Sequence, residues 1–179
     1  NGPYGWDLAH RYEIPIFGTA GCSDSKVFDA QAAAEAALTL FENTIGGVNL
    51  IHDVGYLDCA MTGSLEFVHF NNELIGWLRQ YLRKLEINED TLALDLIHEI
   101  GPDGNFLEAD HTYKYVRGEW RPQLLDRLDY HRWVDQGGRT VLDRASDKVR
   151  EILASHRAEP LPDEIVQKLN AVVVQEVFA

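Results

Sequence analysis

The sequence has little cysteine, little basic charge and no long apolar run, and each shortage closes off a class of function. Its two cysteines, Cys22 and Cys59, stand in different motifs with no Cys-x-x-Cys spacing. That pattern excludes a disulfide framework and a spaced-cysteine zinc site, and it fits a reducing compartment. The 16 Lys and Arg residues are outnumbered by 29 Asp and Glu, for a formal net charge of −13. Acidity of this degree argues against non-specific nucleic-acid binding and against an anionic membrane surface as partner, so neither is expected. No stretch reaches the roughly 18 consecutive apolar residues of a spanning helix. The opening Asn1-Gly2-Pro3-Tyr4-Gly5-Trp6 lacks the basic and apolar regions of a secretory signal. It also lacks a starting Met, as a processed or truncated chain does. These shortages together predict a cytoplasmic protein.

What is present is ordinary globular material. The 179 residues are 45% hydrophobic and 25% charged, enough to bury a core without disulfides or structural metal. Residues 7–12 read as the end of a helix. Residues 14–18, Ile-Pro-Ile-Phe-Gly, form a short apolar run that suits a buried parallel strand. A Gly- and Ser-containing loop follows, in which Asp24 or Ser25 offers a cap for the next helix. Residues 28–45 are rich in alanine and strongly helix-forming, and Gly46-Gly47 ends that helix. Residues 48–52 read as a second strand, which completes a β–loop–α–β unit of a parallel sheet.

Residues 53–63 read as a long irregular loop. Residues 64–85 form an amphipathic helix, with Leu65, Val68, Asn72, Ile75, Leu78 and Leu82 expected on its apolar face. Asn71-Asn72-Glu73 is unusual inside such a helix, and its expected role is to satisfy a buried loop. Arg79, Arg83 and Lys84 are expected on a solvated face. Asn88-Glu89-Asp90 opens a helix to about Ile100, Gly101-Pro102-Asp103-Gly104 is a turn, and a short strand is expected at Asn105-Phe106-Leu107. Aromatic residues crowd positions 109–135. Two more helices are expected at 140–157 and 162–178, the second with a stripe of Ile165, Leu169, Val172 and Val173. The expected division is an α/β part over 1–107 and a helical part over 108–179.

In α/β sheets, ligands bind at the carboxyl ends of strands. Two loops stand there. The first is Gly18-Thr19-Ala20-Gly21-Cys22-Ser23-Asp24-Ser25-Lys26. Its backbone amides beside a helix start could hold an anion; the alternative is a capped turn with Asp24 favouring the helix start. It matches neither a Walker A loop nor a dinucleotide fingerprint. The second loop begins at His52-Asp53. A histidine at a strand end can hold a carboxylate, move a proton or bind metal; the alternative is a structural histidine satisfied by backbone. Tyr56 could turn an aromatic face to a quaternary ammonium group or could simply pack on the loop. Cys22 with His52 would make a nucleophile and base, though no hydrolase motif accompanies them. His111 and His131 have no metal-ligand spacing.

An ordered set of motifs resembles the trimethylamine methyltransferase (MttB) family. It begins with Gly21-Cys22-Ser23-Asp24-Ser25-Lys26, Asp29-Ala30-Gln31-Ala32 and Glu35, then Asn49-Leu50-Ile51-His52-Asp53-Val54-Gly55-Tyr56-Leu57. It continues through Ser64-Leu65-Glu66, Asn72-Glu73-Leu74-Ile75-Gly76, Thr91-Leu92-Ala93-Leu94-Asp95-Leu96-Ile97, Gly101-Pro102-Asp103-Gly104-Asn105-Phe106-Leu107, His111-Thr112 and Lys148-Val149-Arg150-Glu151-Ile152-Leu153. The set covers about residues 7–175. The resemblance implies a TIM (β/α)8 barrel, of which this chain would be a C-terminal partial barrel over 1–107 with a helical extension over 108–179. It implies methyl transfer from a methylated amine to the Co(I) corrinoid of a separate corrinoid-binding protein, with no metal bound by this chain. The archaeal trimethylamine enzymes carry pyrrolysine in or next to the 21–26 loop; here Cys22 and ordinary residues stand there, so the chain resembles the branch that includes enzymes for glycine betaine. Strand-end position and resemblance together make His52, Asp53, Tyr56, Asp24 and Cys22 the expected substrate-binding residues, with no catalytic residue assigned. A partial barrel would expose sheet edges, so homo-oligomers are expected. A different class of function, an interaction or assembly module, is suggested by the aromatic-rich 108–179 segment.

Overall fold

The computed structural model describes residues 3–177. They form two compact units, Asn1–Val149 and Arg150–Ala179. The first is mixed helix and strand. Helix α1 (Pro3–Arg11) leads to strand β1 (Phe17–Thr19), helix α2 (Ala30–Ile45) and strand β2 (Leu50–His52). β1 and β2 pair in parallel, with Phe17 opposite Leu50 and Thr19 opposite His52. The expected β–loop–α–β unit is therefore present. Both strands are shorter than expected and start two or three residues later, because residues before them bond differently. Asn49 Oδ1 accepts the Ile16 amide at 2.9 Å, so a side chain takes the place of the ladder there.

α2 forms because six alanines in a short span favour helix and remove bulk from the buried face. Its N-cap is Asp29, whose side chain accepts the Ala32 amide at 3.0 Å. The expected caps, Asp24 and Ser25, lie instead in the loop before it. Gly46 closes the helix, followed by Gly47 at φ +68°.

Residues 53–63 are not irregular throughout. β3 (Tyr56–Leu57) and β4 (Thr62–Gly63) form a small antiparallel hairpin. Its tip, Asp58, Cys59 and Ala60, lies in the left-handed region at φ 52°, 53° and 66°, which costs on the order of 1 kcal/mol per non-glycine residue. Asp58 is held there by its amide donating to the Ser25 carbonyl at 2.9 Å. A backbone reversal that relies on strained non-glycine residues leaves no turn signature to read.

Helix α3 (Leu65–Tyr81) is capped by Ser64, which accepts the Phe67 amide at 3.2 Å. Its buried residues are Phe67, Phe70, Asn71, Glu73 and Leu74, not the expected face. Leu65, Val68, Asn72 and Leu82 are exposed, while Ile75 and Leu78 pack partly against the core. The core joins Ala32, Ala36 and Leu40 of α2 to Phe67, Phe70 and Leu74 of α3, with Ala20 and Leu57. Phe28 closes it, with ring centroids 5.3 Å from Phe67 and 4.9 Å from Phe70. The alanines let the two helices approach; truncating Leu40 to Ala there would cost about 2–5 kcal/mol.

The expected helix to Ile100 is two helices, α4 (Glu89–Leu92) and α5 (Leu94–Ile100), broken at Ala93 with φ +50°. Asn88 caps the first through a reciprocal box with Thr91. No strand forms at 105–107; the Leu107 amide turns back to Asn105 Oδ1 at 2.9 Å. Helices α6 (Asp110–Val116), α7 (Tyr130–Asp135) and α8 (Val141–Ser155) follow.

Glu73 carries out the role expected of the polar cluster. Its Oε1 accepts the amides of Gln123, Leu124 and Leu125 at 2.7, 2.8 and 3.1 Å. That holds a stretch without helix or strand against α3, and Leu124 is buried as a result. Arg79, Arg83 and Lys84 are exposed as expected, and Arg83 pairs with Glu119 at 3.1 Å.

The second unit is helical, with α9 (Asp163–Val177) carrying a Lys168–Glu164 ion pair at 2.5 Å. Ile165, Leu169 and Val172 are exposed in it; the side chain of Val173 and residue 178 of the expected helix lie outside the described residues.

Candidate functional site

The two strands present two different faces. Gly18 and Ile51 turn toward the α2–α3 core; a Cβ on Gly18 would collide with the Asn43 side chain of α2. The alternate residues, Phe17, Thr19, Leu50 and His52, point the other way, as the two-residue period requires. Phe17 is 54% and Leu50 58% exposed. Parallel sheets are normally covered on both faces, so among the described residues this is an apolar and polar surface without cover. His52 stands on it at the carboxyl end of β2.

The two strand-end loops form one structure. The Gly21 carbonyl accepts the Gly55 amide at 2.8 Å, the Tyr56 carbonyl accepts the Ser23 amide at 3.0 Å, and the Ser25 carbonyl accepts the Asp58 amide at 2.9 Å. Residues 21, 23 and 25 thus zip along the second loop.

α2 holds the same segment from the other side through Glu35, Thr39 and Asn43, four residues apart on one helix face. Glu35 Oε2 accepts the Ser23 hydroxyl at 2.5 Å and the Asp24 amide at 3.0 Å. Thr39 Oγ1 accepts the Gly21 amide at 3.2 Å, and Asn43 Nδ2 donates to the Thr19 carbonyl at 3.4 Å. From α3, buried Asn71 donates to the Gly21 carbonyl at 3.1 Å. Gly21 sits at φ +71°, and a Cβ there would lie 2.9 Å from Asn71 Oδ1, so glycine is required twice over. The Ala20, Gly21, Ser23, Asp24 and Ser25 amides of this loop donate within the chain, and the Asp24 amide goes to the Glu35 carboxylate. The Ser23 and Gln31 hydrogen bonds and the Asp24 amide keep the Glu35 carboxyl below the usual range.

His52 Nδ1 lies 2.7 Å from Asp53 Oδ1. Its Nε2 lies 3.4 Å from Thr19 Oγ1, and its ring stacks on Phe17 with centroids 4.1 Å apart and planes at 18°. With Nδ1–H donating to Asp53, a neutral ring is an acceptor at Nε2 and takes the Thr19 hydroxyl. The ring donates outward from Nε2 only when doubly protonated. Asp53 itself has φ +70°, a conformation that aspartate tolerates better than most residues.

Tyr56 is 43% exposed beside this pair. Asp24 is exposed, and its carbonyl accepts Lys26 Nζ at 2.8 Å. Cys22 is half-buried; burial, then the charges of Asp53, Asp24 and Glu35, push its thiol up, against a smaller lowering by its own backbone amide. Both ring nitrogens of His52 are engaged elsewhere, and among the described residues no hydrogen bond joins Cys22 to His52. A protonated thiol with no base is not an activated nucleophile.

The five expected residues therefore fall on two adjoining, interlocked loops at one end of the sheet. Phe17, Thr19, Thr39 and Asn43 were not anticipated. The four-residue spacing of Glu35, Thr39 and Asn43 on an alanine helix was the available signal.

The family model for trimethylamine methyltransferase (MTTB) matches residues 5–177. The chain is 33% identical to trimethylamine methyltransferase MttB of Desulfitobacterium hafniense, over 93% of this chain and 34% of that protein. It is 32% identical to trimethylamine methyltransferase MttB1 of Methanosarcina acetivorans, over 93% of this chain and 34% of that one. It is 36% identical to a glycine betaine methyltransferase of Desulfitobacterium hafniense, over 94% of this chain and 35% of that one. The chain thus spans about a third of the length of the curated relatives it matches. It belongs to the trimethylamine methyltransferase family.

Proposed function

We propose that the protein is a methylamine or betaine methyltransferase, moving a methyl group from a quaternary or tertiary amine to the Co(I) corrinoid of a separate corrinoid-binding protein. The observation that carries this reading is family membership across residues 5–177, with a glycine betaine methyltransferase at 36% identity among the relatives. The uncovered face of β1 and β2 supports a (β/α)8 barrel in which Phe17, Thr19, Leu50 and His52 line the interior. Residues 1–107 would then supply C-terminal barrel units, and residues 108–179 a helical extension. Exposed edges of that kind favour homo-oligomers.

Within this reading, His52, Asp53, Tyr56, Asp24 and Cys22 contact the substrate. Asp24, Glu35 and Asp53 give the loops a negative field that draws a cationic amine toward them. Tyr56 supplies an aromatic face for the ammonium group. His52, held by Asp53 and Thr19, receives the polar end of a betaine, donating from Nε2 in its protonated form. The corrinoid would supply the cobalt nucleophile, and the residues of this chain would bind the amine. A quaternary amine departs neutral, so these residues need to bind and aim the methyl group rather than deliver a proton.

The test is turnover of glycine betaine, choline and trimethylamine by the full-length protein with its Co(I) corrinoid partner. Demethylation of glycine betaine in preference to choline, which lacks the carboxylate, is expected. Failure with every amine overturns the assignment.

A further inference from the structure

The stretch that Glu73 holds against α3 borders a cavity of about 470 Å³, away from the strand-end loops. Arg121, Arg127, Arg139 and Arg144 line it, with Trp133 and Gln136. Four of the 16 Lys and Arg residues of a chain with net charge −13 thus meet at one concavity, and all four are arginine. That choice matters, because the planar guanidinium fork matches oxyanions where an ammonium does not.

Their partners leave donors free. Arg144 donates from Nε to the Leu124 carbonyl at 2.7 Å and from Nη1 to the Arg139 carbonyl at 2.6 Å, contacts that orient its charge without neutralising it. Arg127 gives Nη1 to the Asp126 carbonyl at 3.1 Å and lies over the Trp77 ring. Arg121 has no hydrogen bond or ion pair among the described residues. Arg139 pairs with Asp147.

The neighbouring carboxylates are occupied. Asp126 Oδ1 accepts the Leu128 amide at 2.8 Å. Asp143 is held low first by Thr140 and then by the charges of Arg139 and Arg144. Among the described lining residues four guanidiniums meet one carboxylate, Asp126, while Glu73, Asp143 and Asp147 nearby are engaged by the 123–125 amides, Thr140 and Arg139.

We propose that this cavity binds a small oxyanion of the phosphate or carboxylate class, with Arg121 and Arg127 as its direct donors and Arg144 as a fixed charge. The site is independent of the methyl-transfer reading and stands or falls without it. It is tested by titrating inorganic phosphate and acetate into the full-length protein by calorimetry, at constant ionic strength. Saturable binding is expected, weakened about a hundredfold in R121Q/R127Q, since each of the two lost charge-assisted hydrogen bonds is worth roughly tenfold. Phosphate binding alone assigns a phosphate source; stronger acetate binding assigns a carboxylate. Arg132, paired with Asp129 at 3.2 Å, does not line the cavity, and R132Q is expected to bind normally. Circular dichroism confirms that each variant is folded. No saturable binding of either anion, unchanged affinity in folded R121Q/R127Q, or equal loss in R132Q overturns the proposal.

Discussion

The carboxylate of Asp53 lies 2.7 Å from Nδ1 of His52, its sequence neighbour at the end of β2. The left-handed backbone at Asp53 brings the side chain back onto the ring beside it. One carboxylate therefore sets the tautomer and orientation of the histidine that faces the uncovered side of the sheet.

Asp53→Asn keeps an acceptor for Nδ1–H and a residue type that tolerates positive φ, so stability should change by less than about 1 kcal/mol. It removes the charge of the carboxylate that lies against Nδ1. In the full-length enzyme KM for glycine betaine is expected to rise about tenfold with kcat nearly kept, since such a loss removes binding common to ground and transition states. His52→Ala should show at least the same rise. Steady-state kinetics with unchanged KM in both variants would remove the pair from the substrate site.

Cys22 is pushed up by burial and by the Asp53 charge. At neutral pH it should react with iodoacetamide more slowly than an ordinary peptide thiol. Asp53→Asn should speed its labelling, as followed by mass spectrometry. Fast alkylation of the wild-type Cys22, with loss of activity, would instead favour a nucleophilic cysteine.

Glu35 has a folded-state pKa below the ordinary glutamate value, chiefly through the Ser23 hydroxyl. A depressed carboxyl stabilises the fold above its unfolded pKa and loses that stabilisation as pH falls through the folded pKa. Denaturant midpoints should therefore fall on acidification from the ordinary glutamate range downward. Glu35→Gln should be less stable at neutral pH and show a flatter acid limb. A variant with the wild-type acid dependence would show that other carboxylates govern it.

Glu73→Gln leaves an oxygen able to accept the three amides of 123–125, whereas Glu73→Ala leaves them without their acceptor. The alanine variant should lose about 2–4 kcal/mol in denaturant unfolding and the glutamine variant much less. Equal losses would mean that the negative charge, not the acceptor geometry, anchors that stretch.

The β–α–β unit was legible because its signals are local: an apolar run, an alanine-rich stretch, a Gly-Gly stop and a second short run. The role of Asn71 and Glu73 was legible for a related reason, since buried polar groups inside a helix need partners. The apolar face of α3 was not. Leu65, Val68 and Leu82 compete with Phe67, Phe70 and Leu74, and periodicity cannot choose between two apolar faces when only contact with α2 decides. The hairpin tip was hidden because Cys59 and Ala60 are not turn-forming types for that backbone. Cys22 and Asp24 lie in the loop after β1, and His52, Asp53 and Tyr56 at and beyond the end of β2, but that loop amides are taken up by Glu35, Thr39 and Tyr56 depends on α2 and β3, which lie far away in sequence.

The most direct measurement follows a labelled methyl group. The full-length protein, its corrinoid partner reduced to Co(I) and methyl-labelled glycine betaine are mixed, and both N,N-dimethylglycine and the label on the partner are quantified. Equal amounts of dimethylglycine and partner-bound label are expected, with neither formed when the partner is omitted. Absence of dimethylglycine and of transferred label with glycine betaine, and likewise with choline and trimethylamine, would contradict the assignment.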